Sequence, residues 1–498
     1  MKKKATKKAA KKKASTKRTA KKASPSRGVK NMKTTTIKGK KAERGIIRSI
    51  NPYTEEVMNE FPVMSKAEVA SIIAKARNAY ARWREVPLAQ RAALLTRLAG
   101  VLRQEKRNYA TLITQEMGKP ITAAMAEVEK CAVCAEYYAA NAERMLAPEI
   151  VQTEAKKSYV AFEPLGVILA IEPWNFPFWQ VFRVALPGTV AGNVVLLKHA
   201  SNVPMTALAI EDAFRRAGFP ENVFTTLLIT SGDAMRLIDD DLVDSVSLTG
   251  SNRAGEEVGS RAGRKIKNVV LELGGSDPFV VLDDADAAKA GRTAANARMI
   301  NAGQSCIASK RFIVMAPVAE EFTKHFLARL REMKIGDPMD ETTDIGPVAR
   351  KDILDDLRSQ LQDARKKGGE VIELPRPATK GFFMPPCVVL KPTPDMQVLA
   401  DEVFGPIAPI VVVKTEDEAV RIANDTEYGL GASVWSRDHA RAERVASRIQ
   451  AGTIAINDFV KSDPRLPFGG VKKSGVGREL SHYGLKELVN IKTVVVRE

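Results

Sequence analysis

Three side chains in separate short segments are candidates for chemistry. Cys306 lies among small and polar neighbours in NAGQSCIASK, residues 301–310, and a cysteine thiolate is a nucleophile. Glu272 ends the apolar run of NVVLELGG and is either a solvated strand terminus or a partly buried general base with a raised pKa. Asn175, between the prolines of PWNFP, is either a turn-former or a fixed hydrogen-bond donor for an oxyanion. Taken singly, these segments leave both interpretations open.

A glycine-containing turn is a candidate for holding a phosphate group. In SVSLTGSNRAGEEVG, Gly250 and Gly255 flank the predicted start of a helix, although the usual GxGxxG pattern is absent. Free backbone N–H groups and the positive end of the helix dipole bind anions at such a start. Glycine at a strand-to-helix turn is also often only a steric requirement, so this segment alone is weak evidence.

The cysteines indicate a reducing compartment. Cys131, Cys134, Cys306 and Cys387 are too few for a disulfide framework in 498 residues, and the cytoplasm is the expected location. Cys131 and Cys134 form a CxxC within a helical pattern, with no second CxxC or nearby histidine pair, so we expect buried helix cysteines and no bound metal. None of the four histidines lies in a motif suited to pair with Cys306, which disfavours a cysteine hydrolase.

The positive charge of the chain is concentrated at its start. Residues 1–42 hold 18 Lys and Arg and no acidic residue, which leaves 59 of the 77 basic residues against 59 acidic ones in the remainder. This segment is too poor in apolar residues to fold alone, and its composition predicts a disordered Lys-rich tail over 1–44. Either residues 1–42 contact nucleic acid or another polyanion non-specifically, or they form a solvated extension without essential function. No apolar run reaches the roughly 18 residues of a membrane span, so no membrane contact is expected.

The elements that must position these segments follow an α/β pattern. SKAE at 65–68 predicts a capped helix start, and a second helix is predicted over 92–117, ended by GKP at 118–120. From residue 165, apolar runs such as LGVILAI, NVVLLKHA and SVSLTG alternate with helical or polar segments, which predicts a parallel sheet buried on both faces. A further series between 311 and 456 predicts a second α/β domain. NIKTVVVRE at the C-terminus predicts a strand whose edge another element or subunit covers.

An ordered set of motifs resembles the aldehyde dehydrogenase superfamily. In chain order the set is PWNFP, Lys198, TGS, LELGG, GQSC, EVFGP at 402–406, and PFGG with KKSG at 467–475. The resemblance covers about residues 45–498. It implies two doubly wound α/β domains, one a Rossmann-like cofactor domain and one catalytic, together with a β oligomerisation arm.

The resemblance implies a mechanism in which each candidate side chain has a role. Cys306 would attack an aldehyde, and the oxyanion of the thiohemiacetal would be held by the Asn175 amide and the Cys306 backbone N–H. Hydride transfer to a nicotinamide would leave a thioester, and Glu272 would activate the water that releases the acid. An inactive homologue serving as a scaffold is disfavoured because all three residues are present.

The cofactor implied by the resemblance is NAD or NADP. The residues that match its binding positions are Trp174, Lys198, Ser201, Gly250, Ser251, Gly255, Glu402 and Phe404. Many NAD-specific members carry a glutamate three residues after the lysine, where this chain has Ser201. Without that carboxylate, the 2′-phosphate of NADP is not repelled, so NADP is a possible cofactor as well as NAD.

The segments KHA, LELGGSDPF and FGGVKKSGVGRELSHYG are most similar to a bacterial branch of succinate-semialdehyde dehydrogenases. Arg183 and Ser462 match positions that contact the substrate in such enzymes, and a guanidinium or a hydroxyl suits the substrate's distal carboxylate. A second arginine expected six residues before the nucleophile is Ile300 here. The alternative is a broad-specificity aldehyde dehydrogenase of another substrate class.

The resemblance also implies a domain organisation. It divides the chain into the tail at 1–44, a cofactor-binding domain at 45–144 and 164–271, a catalytic domain at 272–480, and an oligomerisation arm at 145–163 and 481–498. The expected assembly is a homodimer or homotetramer acting on a small-molecule aldehyde. A nucleic-acid-associated protein acting through its basic tail is the alternative from another class.

Overall fold

The computed structural model describes residues 45–375 and 380–498. The predicted tail over 1–44, and with it the expected polyanion contact of residues 1–42, lies outside the described residues. The strands are β1 (Ile46–Ile50), β2 (Val57–Pro62), β3 (Glu149–Val151), β4 (Lys157–Pro164), β5 (Val167–Glu172), β6 (Val194–His199), β7 (Phe224–Thr226), β8 (Ser245–Thr249), β9 (Asn268–Glu272), β10 (Pro278–Val281), β11 (Arg311–Met315), β12 (Glu370–Glu373), β13 (Cys387–Leu390), β14 (Ile407–Val413), β15 (Gly431–Trp435), β16 (Thr453–Ile456), β17 (Gly475–Val476) and β18 (Val489–Val496).

The helices connect these strands and cover their faces. They are α1 (Lys66–Trp83), α2 (Leu88–Gln104), α3 (Lys106–Met117), α4 (Ile121–Leu146), α5 (Trp179–Ala191), α6 (Pro204–Arg216), α7 (Ser231–Ile238), α8 (Asn252–Arg264), α9 (Ala287–Met299), α10 (Ala316–Glu332), α11 (Lys351–Lys366), α12 (Gln397–Ala400), α13 (Glu416–Asn424), α14 (His439–Ala446) and α15 (Ser481–Lys486). Within the described residues, no helix has both the length and the apolar character needed to cross a membrane.

The first large sheet has six strands in the order β17-β9-β8-β5-β6-β7. The pairs β9-β8, β8-β5, β5-β6 and β6-β7 are parallel, and β17 runs antiparallel to β9. Every residue of β5 and β6 is buried, as the apolar runs predict for a sheet covered on both faces. Parallel order brings the carboxyl ends of β5, β6, β8 and β9 to one edge, which is where such sheets bind ligands. Glu172, Lys198, Thr249 and Glu272 lie at that edge.

The second large sheet has seven strands in the order β12-β13-β14-β11-β10-β15-β16. All its neighbouring pairs are parallel except β12-β13. Its centre is filled by aromatic side chains, because Phe279 of β10 packs on Trp435 of β15 with ring centroids 5.5 Å apart and on Phe312 of β11 at 5.7 Å. The second α/β series expected between 311 and 456 is therefore confirmed.

The helical segment over 92–117 differs from the sequence expectation. A single helix was predicted, but α2 ends at Gln104 and α3 begins at Lys106. Glu105, between them, has φ −98° and ψ 10°, outside the helical range, and the chain bends there although its apolar period continues. Gly118 ends α3 with φ 79°, a left-handed conformation that favours glycine.

A three-stranded antiparallel sheet has the order β18-β4-β3. The C-terminal strand, expected to be covered by another element, pairs with β4 from Val489 opposite Pro164 to Val496 opposite Lys157. Large apolar side chains of this sheet stay exposed, among them Ile150 and Ile491. The domain boundaries given above remain predictions.

Candidate active site

The loop that carries Cys306 has an unusual backbone. After α9 the chain forms a 3-10 turn in which Asn301, Ala302 and Gly303 all have positive φ, at 53°, 53° and 77°. Left-handed conformations at two consecutive residues other than glycine are costly and persist only where the surroundings enforce them. A β-carbon at Gly303 would lie 2.3 Å from the Gly405 carbonyl oxygen, so the turn packs directly on the EVFGP segment. The result is a tightly fixed turn just before Cys306.

Lys310 holds the cysteine loop through its carbonyl oxygens. Its Nζ donates to the carbonyl oxygens of Ser305 at 2.9 Å and of Cys306 at 2.6 Å. The same ammonium pairs with the Glu402 carboxylate at 3.2 Å. Lys310 was not singled out from the sequence, although a lysine four residues after a candidate nucleophile is a signal that could have identified it.

Asn175 lies against the same loop. It is 3% exposed, and its Nδ2 donates to the Gln304 carbonyl oxygen at 3.2 Å. Its Oδ1 accepts from Gln180 Nε2 at 2.9 Å, which fixes the orientation of the amide. Asn301 Nδ2 donates in turn to the Asn175 carbonyl oxygen at 2.8 Å. The amide is thus held beside the loop that contains Cys306, as an oxyanion donor must be.

The surroundings of Cys306 disfavour its thiolate form. Burial, followed by the negative field of Glu272 and Glu402, raises the pKa of the thiol to about 12. Arg183 and Lys310 act in the opposite direction by stabilising the thiolate. The two cations therefore lower the cost of forming a thiolate at Cys306.

Glu272 is buried rather than solvated. It is 2% exposed at the end of β9, and neither carboxylate oxygen has a hydrogen-bond partner among the described residues. Burial raises the pKa of Glu272 well above its usual range, and the nearby Glu479 raises it further, against the opposing field of Arg183. A carboxyl group with a raised pKa and free lone pairs has the properties of a general base for water.

Glu272 belongs to a buried carboxylate cluster, formed by Glu172, Glu272 and Glu479. The three residues are 2%, 2% and 3% exposed, and burial is the first cause of the raised pKa of each. Arg183 pairs with Glu479 through an Nε to Oε2 distance of 2.7 Å. Sequence reasoning missed Glu172 and Glu479. The sequence offered a signal for each residue: Glu172 ends the apolar run LGVILAIE, and Glu479 lies within GRELSHYG.

A cavity of about 270 Å³ opens in front of Cys306, and we call it the Cys306 cavity. Arg183 and Ser462, the two residues predicted to contact substrate, both line it. Its apolar walls include Phe176, Trp179, Ile300, Phe459, Val460 and Phe468. Glu272 is not among the described residues that line this cavity. A short aldehyde with a mostly aliphatic chain fits the size and polarity of these walls.

Lys198 and Ser201 follow one strand at the ligand-binding edge of the six-stranded sheet. Lys198 is 7% exposed near the end of β6, and its Nζ lies 3.4 Å from the Ser231 hydroxyl at the start of α7. No carboxylate of the described residues lies within ion-pair distance of this ammonium. Burial lowers the pKa of Lys198. Ser201 is exposed just beyond the strand. A buried cation without an acidic partner fits a group with oxygen acceptors or a negative charge, such as a ribose or its phosphate.

The turn after β8 forms the predicted helix start. Ser251 caps α8, with its Oγ accepting from Ala254 N at 3.4 Å, and Gly250 precedes it. A β-carbon at Gly255 would lie 2.4 Å from the Leu273 side chain, so Gly255 allows the helix to pack closely on the chain after β9. The steric interpretation therefore accounts for Gly255, while the N–H groups of the first turn of α8 are placed to meet a phosphate.

Glu402, Phe404 and Trp174 are three of the residues predicted to bind the cofactor. Glu402 Oε1 accepts from the Gly275 backbone N–H at 3.1 Å. Phe404 meets Trp174 edge to face, with centroids 5.8 Å apart. These contacts fix a carboxylate and two rings beside the cysteine loop, which suits the ribose and the ring of a bound nucleotide.

Together the fold and the site define a class: a dinucleotide-dependent α/β enzyme that forms a covalent intermediate on a cysteine. Residues 38–494 match the pattern of the aldehyde dehydrogenase family, and the chain belongs to that family. It is therefore an NAD(P)-dependent oxidoreductase that oxidises an aldehyde to its acid.

Related proteins share most of the chain. A protein of Synechocystis named probable succinate-semialdehyde dehydrogenase (NADP(+)) is 47% identical over 454 residues, covering 90% of this chain and 99% of that protein. One of Mycobacterium tuberculosis named succinate-semialdehyde dehydrogenase (NADP(+)) 1 is 46% identical over 455 residues, with the same two coverages of 90% and 99%. The crystal structure of succinic semialdehyde dehydrogenase from Streptococcus pyogenes with NADP+ matches with a TM-score of 0.88 and 37% identity, covering 91% of this chain and all of that one, 100%.

Proposed function

We propose that this protein oxidises succinate semialdehyde to succinate, with NADP as the favoured hydride acceptor. The observation that carries the proposal is that Arg183 and Ser462 line the same small cavity as Cys306. An aldehyde at the sulfur would then direct a distal carboxylate toward a guanidinium and a hydroxyl. The names of the relatives in Synechocystis and Mycobacterium tuberculosis support the same substrate.

The first step is attack by Cys306. The thiol releases its proton to solvent water, with Arg183 and Lys310 stabilising the thiolate, and the sulfur bonds to the carbonyl carbon as the carbonyl π bond breaks to give the oxyanion. The oxyanion that forms accepts hydrogen bonds from the Asn175 amide and from the Cys306 backbone N–H, which makes no hydrogen bond to another described residue. Because both donors are held in place before the reaction, little reorganisation is needed as the charge develops.

The second step requires a dinucleotide. Lys198, Ser201 and the start of α8 are assigned to its ribose and phosphates, and Glu402, Phe404 and Trp174 to its nicotinamide end. When bound, the dinucleotide supplies the hydride acceptor that converts the thiohemiacetal on Cys306 into a thioester. The role of the protein is to keep the thiohemiacetal carbon aligned.

The third step is hydrolysis of the thioester. Glu272 removes a proton from water as the water attacks the acyl carbon, and the Cys306 thiolate is the leaving group. The burial that raises the pKa of Glu272 makes its carboxylate a stronger base than a solvated glutamate. Glu479 strengthens this effect by its proximity.

The preference for NADP rests on Ser201. A serine at this position does not repel the 2′-phosphate of NADP, and it offers that phosphate no positive charge either. We therefore propose a relaxed preference for NADP rather than an absolute one. The presence of NADP+ in the Streptococcus pyogenes structure supports this choice. We further propose a cytoplasmic homodimer or homotetramer, in which the exposed apolar residues of the β18-β4-β3 sheet contribute to the subunit contact.

The test is an aldehyde panel assayed in parallel with NADP and NAD. We expect succinate semialdehyde to give the highest kcat/KM, medium-chain uncharged aldehydes to be accepted measurably, and NADP to be favoured. A panel in which pentanal is oxidised as efficiently as succinate semialdehyde would contradict the substrate assignment. Selectivity for NAD of several orders of magnitude would contradict the cofactor assignment.

A further inference from the structure

Lys130, on the cavity-facing side of α4, forms a polar site with two other residues of the Cys306 cavity. Its Nζ donates to Ser462 Oγ at 2.7 Å and lies 4.2 Å from the centroid of the Trp179 ring. Trp179 Nε1 donates to the same Ser462 oxygen at 3.1 Å. Because that oxygen already accepts two hydrogen bonds, the Ser462 proton is left to donate. The site therefore presents a hydroxyl donor and the remaining N–H donors of an ammonium.

Two of the other charged residues that line the cavity are neutralised by buried partners. Glu127 forms a buried ion pair with Lys119, and its Oε1 also accepts from the backbone N–H of Phe178 at 2.9 Å. Arg183 pairs with the buried Glu479, with Nε and Oε2 2.7 Å apart. Neither residue leaves a net charge on the cavity.

The remaining lining cation, besides Lys130, is also paired. Lys461 is bound to Asp458 at 2.8 Å, with its side chain 56% exposed to solvent. Lys130 differs, because no carboxylate of the described residues lies within 4 Å of its ammonium. The Cys306 cavity therefore carries one uncompensated positive charge, on Lys130, among largely apolar walls.

An uncompensated cation in this position favours an anionic ligand. Burial, followed by the field of Arg183, lowers the pKa of Lys130 to about 8. The other groups that act on its charge are Cys131, Cys134 and Glu127 of α4, which raise its pKa. Asp463, paired with Arg465, also interacts electrostatically with Lys130. A carboxylate placed beside Lys130 would offset the cost of burying the ammonium, whereas an uncharged aldehyde would not.

We propose that Lys130 and Ser462 form the carboxylate-binding end of the Cys306 cavity, and that Lys130 adds its charge to the Arg183 guanidinium in selecting short aldehydes with a distal carboxylate. This inference rests on the proposed function, since it assumes dehydrogenation at Cys306. Arg183 lies near the same end, but its charge is held by Glu479. Ile300, on the same cavity, supplies only apolar surface.

The test compares kcat/KM for succinate semialdehyde with kcat/KM for pentanal at saturating NADP. Lys130→Met keeps most of the side-chain volume and removes the charge, so the ratio of the two should fall about 10- to 100-fold, through the KM for succinate semialdehyde. Lys130→Arg should restore most of the ratio. Lys351→Met is the matched control, because Lys351 lies outside the cavity in an exposed ion pair with Asp355, and it should change the ratio less than about fivefold.

A second measurement needs no variant. The Lys130 cation is present below its pKa and absent above it, so the wild-type ratio should decline as the pH rises above about 8. Division by the value for pentanal removes the titration of Cys306, which is common to both substrates. In Lys130→Arg the decline should disappear, because a guanidinium keeps its charge.

The outcomes separate the two proposals. A high wild-type ratio that survives Lys130→Met, together with a ratio that is flat with pH, would overturn the Lys130 site and leave the proposed function intact. A wild-type ratio near one would contradict the proposed function itself. NADP binding, followed by fluorescence, checks that each variant is folded; if Lys130→Met fails this check, Lys130→Arg and the wild-type pH profile decide.

Discussion

The Cys306 cavity and the buried carboxylate cluster of Glu172, Glu272 and Glu479 show opposite effects of the same physical cause. In the cavity, burial lowers the pKa of Lys130 to about 8 and leaves a cation among apolar walls. In the cluster, burial raises the pKa of all three carboxyl groups. Burial disfavours charge in both regions, so the first region favours an incoming anion and the carboxylates of the second are stronger bases than solvated ones.

Cys306 and Arg183 lie where the two regions meet. Arg183 lines the cavity and pairs with Glu479 of the cluster, and the pKa of the Cys306 thiol responds both to Arg183 and to Glu272. The comparison therefore assigns substrate selection to one side of the nucleophile and proton transfer to the other. Substitutions that affect one side without the other test this division.

The largest effect is expected at the nucleophile. Cys306→Ala should lower aldehyde oxidation by about 10⁴-fold or more, because the covalent route is lost, while NADP binding survives. Steady-state rates and a dinucleotide titration measure the two effects. Cys134→Ala is the control, since this thiol is fully buried in α4, and its activity should remain close to wild type. Turnover near wild type in Cys306→Ala would refute the assignment.

Glu272→Gln should impair proton transfer in the carboxylate cluster and leave substrate selection in the Cys306 cavity unchanged. Acylation does not need this base, so we expect a rapid burst of reduced cofactor followed by a steady rate about 10²- to 10⁴-fold slower. Stopped-flow absorbance of the reduced nicotinamide records both phases. Glu257→Gln, at an exposed position of α8, should show neither change. An unchanged steady rate in Glu272→Gln would remove Glu272 from hydrolysis.

Arg183→Leu should affect both regions at once. The preference for succinate semialdehyde over pentanal should fall about tenfold or more, and Glu479 is left buried without its cation. Breaking a buried ion pair in this way costs about 3 to 5 kcal/mol of unfolding free energy. Denaturant unfolding measures that cost, and the double variant Arg183→Leu/Glu479→Leu should recover much of it. No loss of stability in Arg183→Leu would mean that the pair does not connect the two regions.

Ser201→Glu tests the cofactor edge, where the smallest effect is expected. A carboxylate there repels a 2′-phosphate, so the ratio of kcat/KM for NADP over NAD should fall about tenfold. Ser201→Ala is the control and should leave that ratio nearly unchanged. A ratio unaffected by Ser201→Glu would mean that Ser201 does not face the adenosine ribose.

Much of the architecture follows from local sequence signals. The buried parallel strands are continuous apolar runs, and the start of α8 is a serine cap after a glycine turn, so both were predicted directly. The break at Glu105 was not predicted, because the apolar period continues through it and no glycine or proline marks the bend. The pairing of β18 with β4 could not be specified either, since it joins segments distant in sequence.

The site divides in the same way. Cys306, Asn175 and Glu272 stand in short motifs, and the roles proposed for them follow from the resemblance that the ordered motifs carry. Glu479 and Lys130 could not, because their effects depend on the folded arrangement: Glu479 pairs with Arg183, and the Lys130 ammonium has no carboxylate of the described residues within 4 Å. Charge compensation is a property of the folded arrangement, and no sequence pattern expresses it.

The most direct test of the account is to trap the acyl intermediate. Glu272→Gln is mixed with succinate semialdehyde and NADP, quenched with acid during the burst, and digested for mass spectrometry. The account predicts one succinyl group on the peptide that contains Cys306, in amounts equal to the reduced cofactor formed in the burst. Reduced cofactor without any acyl group on Cys306, or an acyl group on another cysteine, would contradict it.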